Sequence, residues 1–479
     1  MQQESLKNKT IKGVGWSAAD AFLGQGVTFI VGLVLARLLS PDEYGLIGIC
    51  LIFTTILNGI VDSGFSNALI RKKDVTDEDY NTMFITNMAI SIVLYVFLFI
   101  CAPFVSDFFH REELTALVRA TGLVLFFNAL SITQVTILTK KIDFKTKTKA
   151  SLVSAIISGM IGIAMAFMGY GVWSLVAQQL SKQLLYTLCL WFLNKWWPKF
   201  TFFTDSFKYM WGFGWKILLS GILNNIWNQL YQVVVGRFYS PATLGQYTRS
   251  KEYANIFSSN LTSIIQRVSF PVLSEMQDDK EKLLKGYRKV IKLTMFVTCI
   301  CLIILGAISE PLIYCLIGPR WHEAASYLPF ICISMSFYPL HAINLNMLQV
   351  EGRSDIFLYL EIIKKIIAII PICFGVFFDI YSMLIATIFV GILSFFLNSW
   401  YTGKFIGYTS LEQIKDVMHS YLFASFVALI VYFIKYIPIS YWIILPLQLF
   451  VGLVLILVLG ELFNSYEYKE IKKIIFKNR

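Results

Sequence analysis

Apolar residues fall in long runs separated by short polar breaks. Runs of roughly 18 to 25 residues match the length a helix needs to cross a bilayer, and do not match the roughly ten-residue alternating strands of a membrane barrel. Fourteen such segments can be read from the sequence, at 14–38, 43–63, 80–102, 115–138, 148–168, 172–194, 209–236, 244–275, 288–310, 324–348, 355–377, 380–402, 418–437 and 440–460. Some breaks, such as Gly169-Tyr170-Gly171 and the lone Asp379, leave room only for a tight turn between antiparallel neighbours. The pattern predicts an all-α integral membrane protein with 14 transmembrane helices.

Composition agrees. Of 479 residues, 57% are hydrophobic, 16% aromatic and 15% charged, whereas a soluble domain carries nearer a quarter charged. The net charge of +11 raises the question of nucleic acid, but the distribution of the charge answers it. One set of loops holds Arg71, Lys72 and Lys73, then Lys140, Lys141, Lys145, Lys147 and Lys149, then Lys195, Lys199 and Lys208. The same set continues with Lys280, Lys282, Lys285, Arg288 and Lys289 and ends at Lys469, Lys472, Lys473, Lys477 and Arg479. The alternate set has only Arg37, Arg111, Arg237, Arg320 and Lys435. By the positive-inside rule this bias predicts that both termini are cytoplasmic. Lys7, Lys9 and Lys12 precede a first run too long and too polar at its start for a cleavable signal. The eight cysteines are scattered in or beside apolar runs without metal-ligand spacing and read as core thiols.

An internal repeat divides the chain. Gly13-Val14-Gly15-Trp16 recurs as Gly212-Phe213-Gly214-Trp215, and Arg37-Leu38-Leu39-Ser40-Pro41 through Gly45 recurs as Arg237-Phe238-Tyr239-Ser240-Pro241 through Gly245. The shift is about 200 residues, or six segments. An even number of spans gives both copies one orientation, which is a parallel repeat about an axis along the membrane normal. The expected division is an N-lobe at 1–200, a C-lobe at 201–404, and two further helices with a cytoplasmic tail at 405–479. Between the lobes, Trp196-Trp197-Pro198-Lys199-Phe200 with Phe202-Phe203 reads as an interfacial segment.

The most informative stretch runs from Leu244 to Asp279. Long enough to span, it still carries Arg249, Lys251, Glu252, Asn255, Asn260, Gln266 and Arg267. In an uninterrupted helix Arg249 and Arg267 share a face, about 27 Å apart along the axis. Ionisable groups at membrane depth face a bundle interior or a wet cavity, so the pair predicts a cationic path; the alternative is that both arginines snorkel to opposite interfaces. In the segment at 209–236, Lys216 precedes Asn224, and Asn225, Asn228, Gln229 and Gln232 form a polar stripe at helical spacing. Such a stripe either glues helices or lines a cavity. Asn58 and Asp62 lie four apart on one face of the second segment. The segment at 355–377 carries Glu361, Lys364 and Lys365, with the acid placed to pair with either lysine, and Pro371 follows as a kink site. Asp20, Glu252 and Glu361 are the candidate ion-coupling carboxylates, since a buried carboxylate can bind a proton reversibly; otherwise they are permanent partners for Arg or Lys. Across the membrane-depth set, Lys216, Arg249, Lys251, Arg267, Lys364 and Lys365 outnumber Asp20, Asp62, Glu252 and Glu361, which fits an anionic substrate such as a diphosphate.

Absences narrow the class. The sequence has no G-x-x-x-x-G-K-[ST] loop, no H-E-x-x-H and no serine elbow. The longest extracytoplasmic loop, near 103–114, is too short to fold a catalytic domain.

Taken together, Leu35-Ala36-Arg37-Leu38-Leu39-Ser40-Pro41-Asp42-Glu43-Tyr44-Gly45, Asp62-Ser63-Gly64-Phe65, Ala68 to Asp74 and Gly169-Tyr170-Gly171-Val172-Trp173 resemble the polysaccharide transporter family. In the second half, Leu244-Gly245-Gln246-Tyr247-Thr248-Arg249 and Gln266-Arg267-Val268-Ser269-Phe270-Pro271-Val272-Leu273-Ser274 resemble it too. The likeness covers roughly residues 10–400, and the last two spans match only in position. That family belongs to the multidrug/oligosaccharidyl-lipid/polysaccharide exporter superfamily. The resemblance implies a two-lobe alternating-access flippase for undecaprenyl-diphosphate-linked oligosaccharide in the bacterial inner membrane. It implies no cofactor beyond a possible proton or sodium gradient. The implied partners are the lipid-linked substrate, membrane lipids and polysaccharide polymerases, with no nucleic acid. Two other readings are a drug or small-molecule antiporter of the same superfamily, which would have an acidic cavity, and a membrane-embedded polysaccharide polymerase or ligase, which would need a large extracytoplasmic loop. A major-facilitator carrier also has parallel six-span halves, but the loop after the second span lacks its Gly-rich, Asp-Arg pattern.

Overall fold

The computed structural model describes residues 23–62, 64–463 and 465–476, without the side chains at 267, 268, 270, 271, 354 and 474–476. Helices joined by turns and short irregular segments make up the described residues, with no strand among them. Nine helical stretches among these residues are long and apolar enough to cross a membrane. Every segment read from the sequence falls on one helix or on consecutive helices, the first being described only from residue 23 onward. The chain forms two compact units, Met1–Gly245 and Gln246–Arg479.

The first unit holds α1 (Gln25–Leu38), α2 (Pro41–Asp62), α3 (Phe65–Arg71), α4 (Asp77–Phe109), α5 (Glu113–Lys140), α6 (Phe144–Phe167), α7 (Val172–Asn194) and α8 (Thr204–Phe238). Helices α4 and α5, and α6 and α7, pack as antiparallel pairs, while α2 lies against both α5 and α8. The helix starts follow from capping chemistry. The Ser40 backbone N–H and hydroxyl donate to Glu43 Oε2 at 2.6 and 2.8 Å, just before Pro41 takes the first helical position. Thr76 and Asp79 form a capping box at α4. Gly169 (φ 81°) and Gly171 (φ 55°) make the left-handed turn between α6 and α7 that a short break with two glycines predicts. With no water to drive association, helices in lipid are held by close packing and polar ties. Asn128 donates to Asn58 Oδ1 at 2.8 Å in this way, joining α5 to α2.

The segment between α7 and α8 has definite partners. Gln134 donates to the Trp196 carbonyl at 2.8 Å, the Lys199 N–H to Asn81 Oδ1 at 2.8 Å, and the Phe203 N–H to Thr82 Oγ1 at 3.1 Å. Trp196 packs edge-on against Phe84, whereas Trp197 and Phe200 project outward.

The Ser-Pro repeat meets itself within the first unit. A Cβ on Gly45 would overlap the Pro241 carbonyl, and a Cβ on Gly245 would overlap the Pro41 carbonyl. Each copy therefore needs its glycine so that the other copy's first turn can lie against it.

The second unit begins within α9 (Pro241–Asn255), which continues through a π turn (Ile256–Asn260) into α10 (Leu261–Glu275). Next come α11 (Lys280–Ala307), α12 (Ser309–Leu316), α13 (His322–Ser336), α14 (Tyr338–Val350), α15 (Ser354–Ile367), α16 (Ile369–Phe377), α17 (Ile380–Ile406), α18 (Ser410–Phe433), α19 (Tyr441–Leu462) and α20 (Tyr466–Phe476). Leu283, Tyr287, Ile291, Met295 and Cys299, four apart on α11, face a core shared with α14, α17 and α18. A neutral polar knot sits in that core. Tyr287 and Thr402 both donate to Asn344 Oδ1, at 3.0 and 2.7 Å, and the Asn344 and Gln413 amides bond each other at 3.0 and 3.1 Å. Helix α15 ends at Ile367 and α16 opens at Ile369, just ahead of Pro371, which lacks the N–H needed to continue the ladder.

Candidate functional site

The polar stretch after Gly245 is not one regular helix. Ser259 in the π turn, and Thr262 and Ser263 just beyond it, turn their hydroxyls back onto the helix's own carbonyls. Ser259 donates to the Asn255 carbonyl at 3.3 Å, Thr262 to the Ser258 carbonyl at 2.8 Å and Ser263 to the Ser259 carbonyl at 2.7 Å. Back-bonded hydroxyls of this kind bend helices, and π turns recur at functional sites. The turn also corrects the helical arithmetic. A one-residue slip in register rotates everything beyond it by about 100°, so the 18-residue spacing of Arg249 and Arg267 no longer puts them on one face by periodicity alone. Arg267 lies on α10, with its side chain outside the described set.

Arg249 is largely buried, 14% exposed, and its Nη1 meets Glu252 Oε2 at 2.7 Å; Glu252 itself is 62% exposed. Lys251 is half-buried, with Nζ 5.9 Å from the Tyr247 ring centre, and it meets no carboxylate among the described residues. Along the same helix Gln246 and Ser250 have a different task. Gln246 donates to the Arg320 carbonyl and accepts from the Ala324 N–H, both at 2.9 Å, and Ser250 donates to the Ala324 carbonyl at 2.8 Å. Ser258 continues this seam to the Met335 carbonyl at 2.8 Å. These contacts dock α9 and the π turn on α13. They were not distinguished in the sequence because an amide that glues helices and an amide that binds ligand look alike there.

On α15, Glu361 pairs with Lys364, the first of its two possible partners, and both are partly buried. Lys365 is half-buried and meets no carboxylate among the described residues. Helices α9 and α15 thus carry one i,i+3 acid–base pair each, with Lys251 and Lys365 beside them.

The remaining candidates lie on α8, in the first unit. Lys216 is exposed, 5.9 Å from the Trp215 ring centre. Asn225 reaches the space a side chain at Gly59 would fill. Asn228 is exposed and Gln229 half-buried. Among the described residues, none of Asn224, Asn225, Asn228, Gln229 and Gln232 makes a side-chain hydrogen bond. The stripe is therefore open polar surface, unlike Gln246 and Ser250. Asp62 accepts from Ser66, and Asn58 from Asn128, so that pair is tied within the first unit. Asp20 lies outside the described residues.

A polytopic helical chain of this architecture has solved counterparts among membrane exporters. The lipid II flippase MurJ in an inward closed conformation superposes with a TM-score of 0.75 at 16% identity, covering 96% of this chain and 99% of that one. An inward-facing multidrug resistance MATE transporter gives 0.63 at 14% identity, covering 83% and 99%. Both likenesses establish the fold. The chain belongs to the polysaccharide biosynthesis protein family, whose profile matches residues 34–326. One relative is the succinoglycan biosynthesis transport protein ExoT of Rhizobium meliloti (strain 1021), 23% identical over 372 residues, 78% of this chain and 75% of that protein.

Proposed function

We propose that this chain flips undecaprenyl-diphosphate-linked oligosaccharide repeat units across the bacterial inner membrane by alternating access, for assembly of a cell-surface polysaccharide. In this reading the chain crosses fourteen times with both termini in the cytoplasm, and two six-helix lobes at 1–200 and 201–404 move against each other. The observation that carries it is the cation excess on the second unit's helices. Arg249 and Lys364 sit beside Glu252 and Glu361, while Lys251 and Lys365 meet no carboxylate among the described residues. An isolated anion is very costly to bring into hydrocarbon. A row of guanidinium and ammonium groups replaces its hydration with charge-assisted hydrogen bonds, and the planar arginine fork grips two phosphate oxygens at once. Arg249 and Arg267, helped by Lys251, Lys364 and Lys365, hold the diphosphate, and the lipid tail stays in the bilayer. Lys216 and the open amides Asn225, Asn228 and Gln229 are the first unit's own candidates for substrate contact.

The fold is shared with drug exporters, so the choice between substrates rests on this charge. A cationic set suits a diphosphate and disfavours an organic cation. No covalent chemistry is assigned to the chain. Gradient coupling, through H+ or Na+, falls to Asp20, Glu252 or Glu361; transport that stays gradient-dependent with all three neutralised removes them. The test of the function is the glycolipid content of a deletion strain. An undecaprenyl-linked repeat unit should accumulate on the cytoplasmic leaflet and clear on complementation. Normal distribution of that lipid in the deletion strain contradicts the reading.

A further inference from the structure

A cavity of about 580 Å³ lies within the second unit, between α11, α12, α13 and α18. Its inner part is apolar, lined by Leu302, Ile303, Pro329, Ile333 and Leu429. Its other end carries an ion pair: Lys435 Nζ lies 3.2 Å from Glu310 Oε2, and Tyr441 donates to Glu310 Oε1 at 2.8 Å. Lys435 also sits 4.2 Å from the Tyr432 ring centre. From Ser425, at the inner end, to Lys435 is ten residues of helix, about 15 Å. That is about half the thickness of a bilayer's hydrocarbon core, so the slot is one leaflet deep. Tyr314, Tyr432, Tyr436 and Tyr441 cluster at the charged end, and such rings settle at the headgroup level.

We propose that this slot holds a zwitterionic phospholipid of the extracytoplasmic leaflet, one acyl chain in the apolar part, its phosphate on Lys435 and its ammonium on Glu310. The depth matches a chain lying along the membrane normal. The mouth has one cation and one anion side by side, which matches a headgroup bearing both charges. A purely anionic headgroup leaves Glu310 facing like charge, and a diphosphate does so more strongly, so the slot is distinct from the path proposed for the transported substrate. Occupancy does not depend on transport, so the two claims fail separately.

The test is native mass spectrometry of the full chain, delipidated in detergent and titrated with phosphatidylethanolamine or phosphatidylglycerol of identical chains. Wild type should retain phosphatidylethanolamine with an affinity about tenfold above phosphatidylglycerol, a difference of about 1.4 kcal/mol. Glu310→Gln should abolish that preference while the protein still binds lipid, and Lys435→Gln should weaken both lipids. Ser425→Phe, an exposed position of the lining, should block the inner end and remove the bound lipid without lowering the melting temperature. Equal affinities in wild type, a preference that survives Glu310→Gln, or displacement of phosphatidylethanolamine by an isoprenoid lipid would each overturn the proposal.

Discussion

The two copies of the Ser-Pro repeat begin alike and end differently. Both place Ser before Pro and a Gly four residues on, and each glycine makes room for the other copy's proline carbonyl. In the first copy the start is firmly closed. Ser40 is bound by Glu43, and Asp42 receives both terminal nitrogens of Arg111 at 3.0 and 2.7 Å. Beyond it α2 runs as an apolar helix to Asp62. In the second copy the Ser240 hydroxyl meets the Thr243 hydroxyl at 3.0 Å and no carboxylate among the described residues, and the helix gives way to a π turn and then to α10. Arg249, Lys251 and Glu252 occupy the turns where the first copy has Ile49, Leu51 and Ile52. One supersecondary unit thus serves as a scaffold in one half and carries charge in the other. The glycines keep the unit's starting geometry, and the later turns are free to change.

The comparison breaks most severely at the glycines. Gly45→Leu or Gly245→Leu sets a side chain against backbone, which cannot swing aside. The expected loss is about 1–3 kcal/mol or more, as for an overpacked core, seen as a lower melting temperature of the purified protein. Gly212→Leu is the control, because a Cβ there meets nothing within 4 Å. Equal melting temperatures for Gly45→Leu and Gly212→Leu would show the reciprocal contact to be unimportant.

The next effect belongs to the charged copy alone. Arg249→Ala should reduce flipping by about tenfold or more, since a hydrogen bond to a charged group contributes about 1.5–3 kcal/mol, with normal membrane levels. Arg249→Lys should lose less, because it keeps the charge and loses the fork. Ile49→Ala, the corresponding position on α2, should change stability with little effect on transport per folded molecule. A transport assay in vesicles with matched protein levels separates these outcomes. A smaller loss, about twofold to tenfold, is expected for Asn228→Leu, because it removes one neutral hydrogen-bonding group of about 0.5–1.5 kcal/mol.

Much of this was legible in the sequence, for definable reasons. Hydropathy locates helices because lipid forces every backbone group into internal hydrogen bonds, so the apolar segments coincide with helices or consecutive helices wherever they are described. The break ahead of Pro371 and the turn at Gly169 and Gly171 follow from backbone chemistry. The π turn at Ile256–Asn260 was not legible, because it depends on which hydroxyls back-bond, and periodicity alone cannot be carried across it from Arg249 to Arg267. Glu361 could be given two partners and no more; the choice of Lys364 is a matter of rotamer. No pattern in the sequence links Gln246 to its partners at Arg320 and Ala324, or shows that the α8 amides make no side-chain hydrogen bond among the described residues. Glu310 and Lys435 are far apart in the chain, and no periodicity links them.

The smallest expected effect lies at the C-terminal helix. Lys289, then Lys473, hold the Glu470 carboxyl below the usual carboxylate range. Its contribution is therefore present at and above that range and is lost as pH falls through the depressed value. Wild type should lose slightly more melting temperature on acidification from about pH 7 to about pH 4 than Glu470→Gln does. Identical slopes would mean that this contact does not anchor α20.

The most direct test of the cationic path is the sidedness of the lipid-linked repeat unit in a deletion strain carrying the Arg249→Ala, Arg267→Ala double variant. The account predicts cytoplasmic-leaflet accumulation close to that of the empty strain, with the variant present at wild-type level and melting temperature. Wild-type clearance of the lipid by that folded double variant would contradict it, leaving the two arginines as interfacial anchors.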